Sequence, residues 1–115
     1  MAAPGGAPSN FTAIGMSSTS LLLRWDPPAP KYRNGKIILY EVTWYPRSDS
    51  TSSHHTRNTT DTSMMIDGLE VSTDYSLQIR AYNNIGPGPW SNRLPFRTCE
   101  QRQRSGFQMN CSEFV

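Results

Sequence analysis

Tyr75-Ser76-Leu77-Gln78-Ile79-Arg80-Ala81-Tyr82, residues 75–82, alternates apolar and polar side chains along its whole length. Successive side chains of a strand point to opposite faces. Tyr75, Leu77, Ile79 and Ala81 therefore share one face, and Ser76, Gln78, Arg80 and Tyr82 the other. Two stretches upstream repeat the pattern: Leu21, Leu23 and Trp25 against Leu22 and Arg24, then Tyr40, Val42 and Trp44 against Glu41, Thr43 and Tyr45. Weaker candidates lie at residues 11–14, 64–66 and 94–96. Turn signals separate them at Asp26-Pro27-Pro28, Asn34-Gly35, Asp67-Gly68 and Gly86-Pro87-Gly88-Pro89. No segment carries a sustained helical period. Six or seven short strands with a turn roughly every ten residues predict an all-β, antiparallel two-sheet sandwich.

Composition supports this reading. The 115 residues suffice for one domain. With 36% hydrophobic and 17% charged residues, 9 Pro and 8 Gly, the chain is poor material for a doubly wound nucleotide-binding domain or a helical bundle. Its longest apolar runs, Leu21-Leu22-Leu23 and Ile37-Ile38-Leu39-Tyr40, fall far short of the ~20 residues of a spanning helix, so no direct membrane insertion by this segment is expected. A net charge of +2, from 11 basic and 9 acidic residues, is too balanced to draw nucleic acid by long-range attraction. Residues 1–7 read as a flexible lead without the features of a secretory signal. Residues 8–98 form the patterned domain, and residues 99–115 read as a flexible tail. Residues 47–63 are polar and suit an exposed loop or weak edge strand. Cys99 and Cys111 sit too near the C-terminus to staple the body; a local disulfide and free thiols fit equally.

The chain resembles a fibronectin type III domain over about residues 8–98. The marks are Pro8, Phe11, Ser20, Trp25 with Pro27-Pro28, Asn34-Gly35-Lys36-Ile37 leading into Tyr40-Glu41-Val42, and Ile66-Asp67-Gly68-Leu69. Tyr75, Ile79-Arg80-Ala81-Tyr82-Asn83, Ile85-Gly86-Pro87-Gly88-Pro89, Ser91 and Thr98 complete the series. The resemblance implies a seven-stranded sandwich of immunoglobulin-like form with Trp25, Tyr40, Leu69 and Tyr75 in its core. Leu69 and Tyr75 look like a tyrosine corner, with Val71 near the place where family members often carry Pro. Leu23 and Leu77 stand where an immunoglobulin domain would want its cysteines.

The resemblance further implies a non-catalytic protein-interaction or spacer module of a multidomain cell-surface adhesion or receptor protein, in its extracellular part. The alternative is a cytoplasmic module of an intracellular scaffold or muscle protein. A parent chain with a kinase or phosphatase domain elsewhere stays open. The implied partners are proteins and neighbouring domains of the same chain.

Catalytic, cofactor and metal chemistry is not expected. His54 and His55 would point to opposite sides of a strand, and Asp67, Glu70 and Asp74 lack the spacing of a calcium loop. No serine sits in a nucleophile elbow. The loop at residues 83–89 holds no Arg-Gly-Asp, and Trp90-Ser91 is only half of a Trp-Ser-x-Trp-Ser signature. Sequons occur at Asn10, Asn58 and Asn110, of which Asn58 and Asn10 are the glycosylation candidates. Strand parity places Arg80 and Tyr82 on an outer sheet face, with Arg93 and Arg97 on the last strand and Glu41 and Tyr45 on the other side. Trp90 is positioned to stack on a guanidinium. Arg and Tyr are enriched at binding hot spots, so this is the candidate interaction face. The plainer alternative is a solvated ladder with Arg80 paired to Glu41. A stripe of Arg80, Arg93 and Arg97 would also suit a heparin-like polyanion weakly.

Overall fold

The three alternating rows fold so that their apolar sides meet. A computed structural model describes residues 2–47 and 54–99. Among the described residues seven strands form two antiparallel sheets. One has the order β1-β2-β5, from β1 (Ser9–Ser17), β2 (Ser20–Asp26) and β5 (Ser63–Ile66). The other has the order β4-β3-β6-β7, from β3 (Leu39–Pro46), β4 (His55–Thr59), β6 (Asp74–Tyr82) and β7 (Leu94–Arg97). The polar stretch after Arg47 thus supplies β4, an edge strand. One helical turn, α1 (Pro30–Arg33), joins β2 to β3; Pro30 opens it, and Asn34 in the left-handed region closes it.

The core lies between the sheets. Leu21, Leu23 and Ile66 from one side meet Val42, Leu77 and Ile79 from the other. Trp25 fills the upper part, 3% exposed, with Phe11 and Tyr40 edge-on to its indole at 6.2 and 5.5 Å between centroids. Phe11, on an edge strand, is only partly buried. Leu69 and Tyr75 are both buried, and the Glu70 N–H donates to the Tyr75 hydroxyl at 2.8 Å. The tyrosine corner therefore forms with Val71 in place of Pro.

The lead departs from the expectation of a free, flexible segment. Residues 2–6 lie against the loops that follow β2 and β6. The buried Asn83 amide donates to the carbonyls of Ala2, Arg33 and Asn34 at 2.8, 3.1 and 3.0 Å. Its Oδ1 accepts from the Ile85 and Gly86 N–H groups. Asn34 Nδ2 donates to the Ala3 carbonyl, and the Gly5 N–H to the Tyr32 carbonyl. Pro4 is buried, and a Cβ on Gly88 would come within 2.8 Å of the Pro4 carbonyl oxygen, so glycine is needed for this approach. The lead shows neither periodicity nor charge, yet its Ala2 carbonyl accepts from a buried amide, and that interaction leaves no trace in a local pattern. Cys99, at the head of the expected tail, is also buried, and its carbonyl accepts from the Ser72 N–H. Residues 100–115, with Cys111 and the Asn110 sequon, lie outside the described residues.

Three changes test this packing. Trp25→Ala should cost about 3–5 kcal/mol in urea unfolding, as large-to-small core changes do. Tyr75→Phe keeps the ring and loses the corner bond, for about 0.5–1.5 kcal/mol. Asn83→Ala strands several backbone groups at once and should cost about 1–3 kcal/mol, with the thermal midpoint falling by several degrees. Removal of residues 1–6 should lower the midpoint in the same direction, and an unchanged value would show that the lead contributes nothing.

Candidate interaction face

The register of β3 with β6 decides which side chains stand outside. Val42 pairs with Ile79 on the inner face, and Glu41 pairs with Arg80 one residue along, on the outer face. Arg80 Nε donates to Glu41 Oε1 at 2.7 Å, and the Tyr82 hydroxyl donates to the same oxygen at 2.9 Å. The Arg80 guanidinium also lies 4.2 Å from the centroid of the Trp90 ring and 5.5 Å from that of Tyr82. One carboxylate, one guanidinium and two aromatic rings thus form a single cluster. Its arginine is held by hydrogen bonds to Glu41 and Tyr82 and by the π-face of Trp90.

Ser91 fixes Trp90 in place. Its N–H donates to the Ile79 carbonyl at 2.8 Å and its Oγ accepts from the Ile79 N–H at 3.1 Å, while Gln78 Nε2 donates to its carbonyl. A side-chain hydroxyl here stands in for the strand that has not yet begun. Partial burial raises the Tyr82 phenol above its ordinary pKa of 10.0, and the hydrogen bond to the Glu41 carboxylate adds to the shift. The charged phenolate would face that carboxylate, so the neutral form is favoured.

The other residues of the expected face are set apart from this cluster. Arg97 pairs with Asp74 in the β6–β7 register and bonds its carboxylate at 3.2 Å, with both side chains about half exposed. Asp74 lies six residues from Arg80 along β6, which is ~20 Å at the rise of a strand. Arg93 is exposed just ahead of β7. The three arginines therefore form no tight stripe, and two of them face carboxylates. Tyr45 stands on the outer face as expected but is covered: the His54 ring stacks on it at 4.1 Å and 7°, leaving it 5% exposed. His55 turns the other way and stacks on Trp44 at 5.6 Å. Asn58 is exposed and directly opposite Glu41. Asn10 is exposed with its amide bonded to the Asp26 carboxylate at 2.7 Å. Among the described residues no group of three His, Cys, Asp or Glu is placed to hold a metal ion.

The family model "Fibronectin type III domain" matches residues 6–97. Receptor-type tyrosine-protein phosphatase F of Danio rerio is 37% identical over 95 residues, which is 83% of this chain and 5% of that protein. Protein sidekick-2 of Mus musculus is 40% identical over 110 residues, 91% of this chain and 5% of that protein. Among solved structures, the fn3 domain of human contactin 1 superimposes with a TM-score of 0.76 at 21% identity, covering 93% of this chain and 88% of that one. The chain spans only a small part of the curated relatives it matches.

Glu41→Gln tests the electrostatics of the cluster. It keeps the shape and removes the charge, so the Tyr82 phenol should titrate at lower pH than in the parent protein, followed by absorbance of the phenolate. The linkage has a definite sign. A phenol whose folded pKa lies above the unfolded value contributes stability that is complete below about pH 10 and lost as pH rises through the folded value. The pH-dependent loss of stability above pH 10 should therefore shrink in the Gln variant.

Proposed function

The chain belongs to the fibronectin type III family, and on that premise we propose that it is a non-catalytic interaction or spacer module in the extracellular part of a multidomain cell-surface receptor or adhesion protein. One observation carries the reading. Relatives at 37% and 40% identity, one of them receptor-type by name, are each matched over 5% of their length. A short stretch of a long receptor has two physical tasks available to it: spacing its neighbours and offering a surface.

In this reading the surface is the outer face of the four-stranded sheet, with Arg80, Tyr82 and Trp90 at its centre and Arg93 and Arg97 towards the last strand. Arginine and aromatic side chains already held by neighbours give contact area with little entropy left to lose. A protein partner suits this surface better than a polyanion. A heparin-like chain needs guanidinium groups free of carboxylates, and Arg80 and Arg97 each have one.

Two measurements test the reading. Expression in a secretory host should yield folded protein with a glycan on Asn58, read by intact mass; folded, secreted protein with Asn58 bare would count against the extracellular placement. On a heparin column the protein should elute at or below physiological ionic strength, ~0.15 M, because two of the three arginines of this face are paired with carboxylates. Retention far above that point would move the polyanion ahead of the protein partner. In the parent receptor with its sugar chains enzymatically removed, replacing Arg80 and Trp90 together by Ala should weaken partner binding by at least tenfold, about 1.4 kcal/mol. Unchanged affinity with the fold intact would remove this face.

A further inference from the structure

Asn58, Glu41, Arg80 and Trp90 lie in one row across the outer face of the four-stranded sheet. Asn58 on β4 is registered opposite Glu41 on β3, Glu41 opposite Arg80 on β6, and Arg80 stacks on Trp90 beyond it. Neighbouring strands are ~4.8 Å apart, so the Asn58 backbone sits ~10 Å from that of Arg80. The Asn58 side chain is exposed and makes no hydrogen bond among the described residues. Thr59, the middle residue of its sequon, bonds the N–H of Asp61 through Oγ1 where the edge strand turns away. The acceptor amide is therefore open, on the face that carries the cluster.

Resting on the extracellular placement above, we infer that Asn58 is a modification site whose glycan lies along this row and covers the Arg80–Trp90 end, so that sugar occupancy decides whether the face is available to a protein partner. The chemistry along the row suits a sugar chain. Glu41 and Arg80 present an acceptor and donors to hydroxyl groups. The Trp90 and Tyr82 rings give flat apolar surface against which the C–H face of a sugar ring packs. The opposite arrangement holds at Asn10. Its amide is already bonded to Asp26, on the sheet that does not carry the cluster.

Tryptophan fluorescence reads the proposal without a partner. Of the three tryptophans, Trp25 and Trp44 are 3% and 7% exposed, so only Trp90, which is partly exposed, is open to a quencher in water. The full chain, secreted from a glycosylating host, is compared with its Asn58→Gln variant from the same host, which leaves the other sequons untouched. Acrylamide should quench a Trp90 component in the variant, and that component should be lost in the protein glycosylated at Asn58. Trp90→Phe should abolish the difference between the two forms. Full occupancy at Asn58 with identical quenching overturns the inference and leaves the receptor placement standing. A folded, secreted protein with no sugar on Asn58 overturns both. A changed thermal midpoint in Asn58→Gln would expose a fold effect, and quenching of the wild-type glycoform before and after enzymatic sugar removal then decides the matter.

Discussion

The pairing of β3 with β6 is the constraint on which the rest of this structure depends. Eight registered pairs run from Leu39 opposite Tyr82 to Pro46 opposite Tyr75. A slip of β3 by one residue would turn Tyr40, Val42 and Trp44 out to water and bring Glu41 into the sandwich; the same slip of β6 would turn out Leu77, Ile79 and Ala81 and bring in Arg80. The core and the candidate face are therefore not two separate achievements of the chain. The same parity that buries the apolar row brings carboxylate to guanidinium on the other side, and each pairing penalises the slip that would undo the other.

Much of this was legible in the residues. Period-two alternation gave the central strands and their faces, and Glu41 with Arg80 followed from parity alone. The likeness supplied the tyrosine corner, where a single hydroxyl bonds the Glu70 N–H. What remained hidden is what depends on contacts between segments far apart in the chain. Tyr45 reads as a solvent-facing residue because nothing nearby announces that His54 will lie flat upon it. Arg80 and Arg97 read as one stripe because parity fixes a face but not a distance along it. The β6–β7 register puts Arg97 opposite Asp74, at the far end of β6. Asn83 stood among the marks of the likeness, but nothing in the sequence told its role, which lies in what the lead and α1 bring to it.

The open side of the sandwich, between β4 and β5, shows how an edge is kept closed. Arg57 pairs with Val42 and so points inward from an edge strand. Its guanidinium lies 5.8 Å from the Trp44 ring centroid, and Nη1 donates to the Met65 carbonyl of β5 at 3.2 Å. An inward-pointing charge on an edge discourages pairing with another chain, and here it also occupies a carbonyl that such a chain would seek.

The anchoring of the lead by Asn83 has a mechanical consequence. Tension applied at the N-terminal end does not reach β1 directly. It is borne first by the bonds that tie Ala2, Ala3 and Gly5 of the lead to Asn83, Asn34 and Tyr32 of the loops, and only after their rupture does the load pass to the β1–β2 pairing. These bonds and the buried Pro4 act as a clamp ahead of the sheet, spreading the force over two loops that are themselves tied to β3 and β6. A chain under pull would yield there first, lengthening by a few residues while the sandwich stayed whole: a short, reversible extension acting as a fuse for the fold behind it.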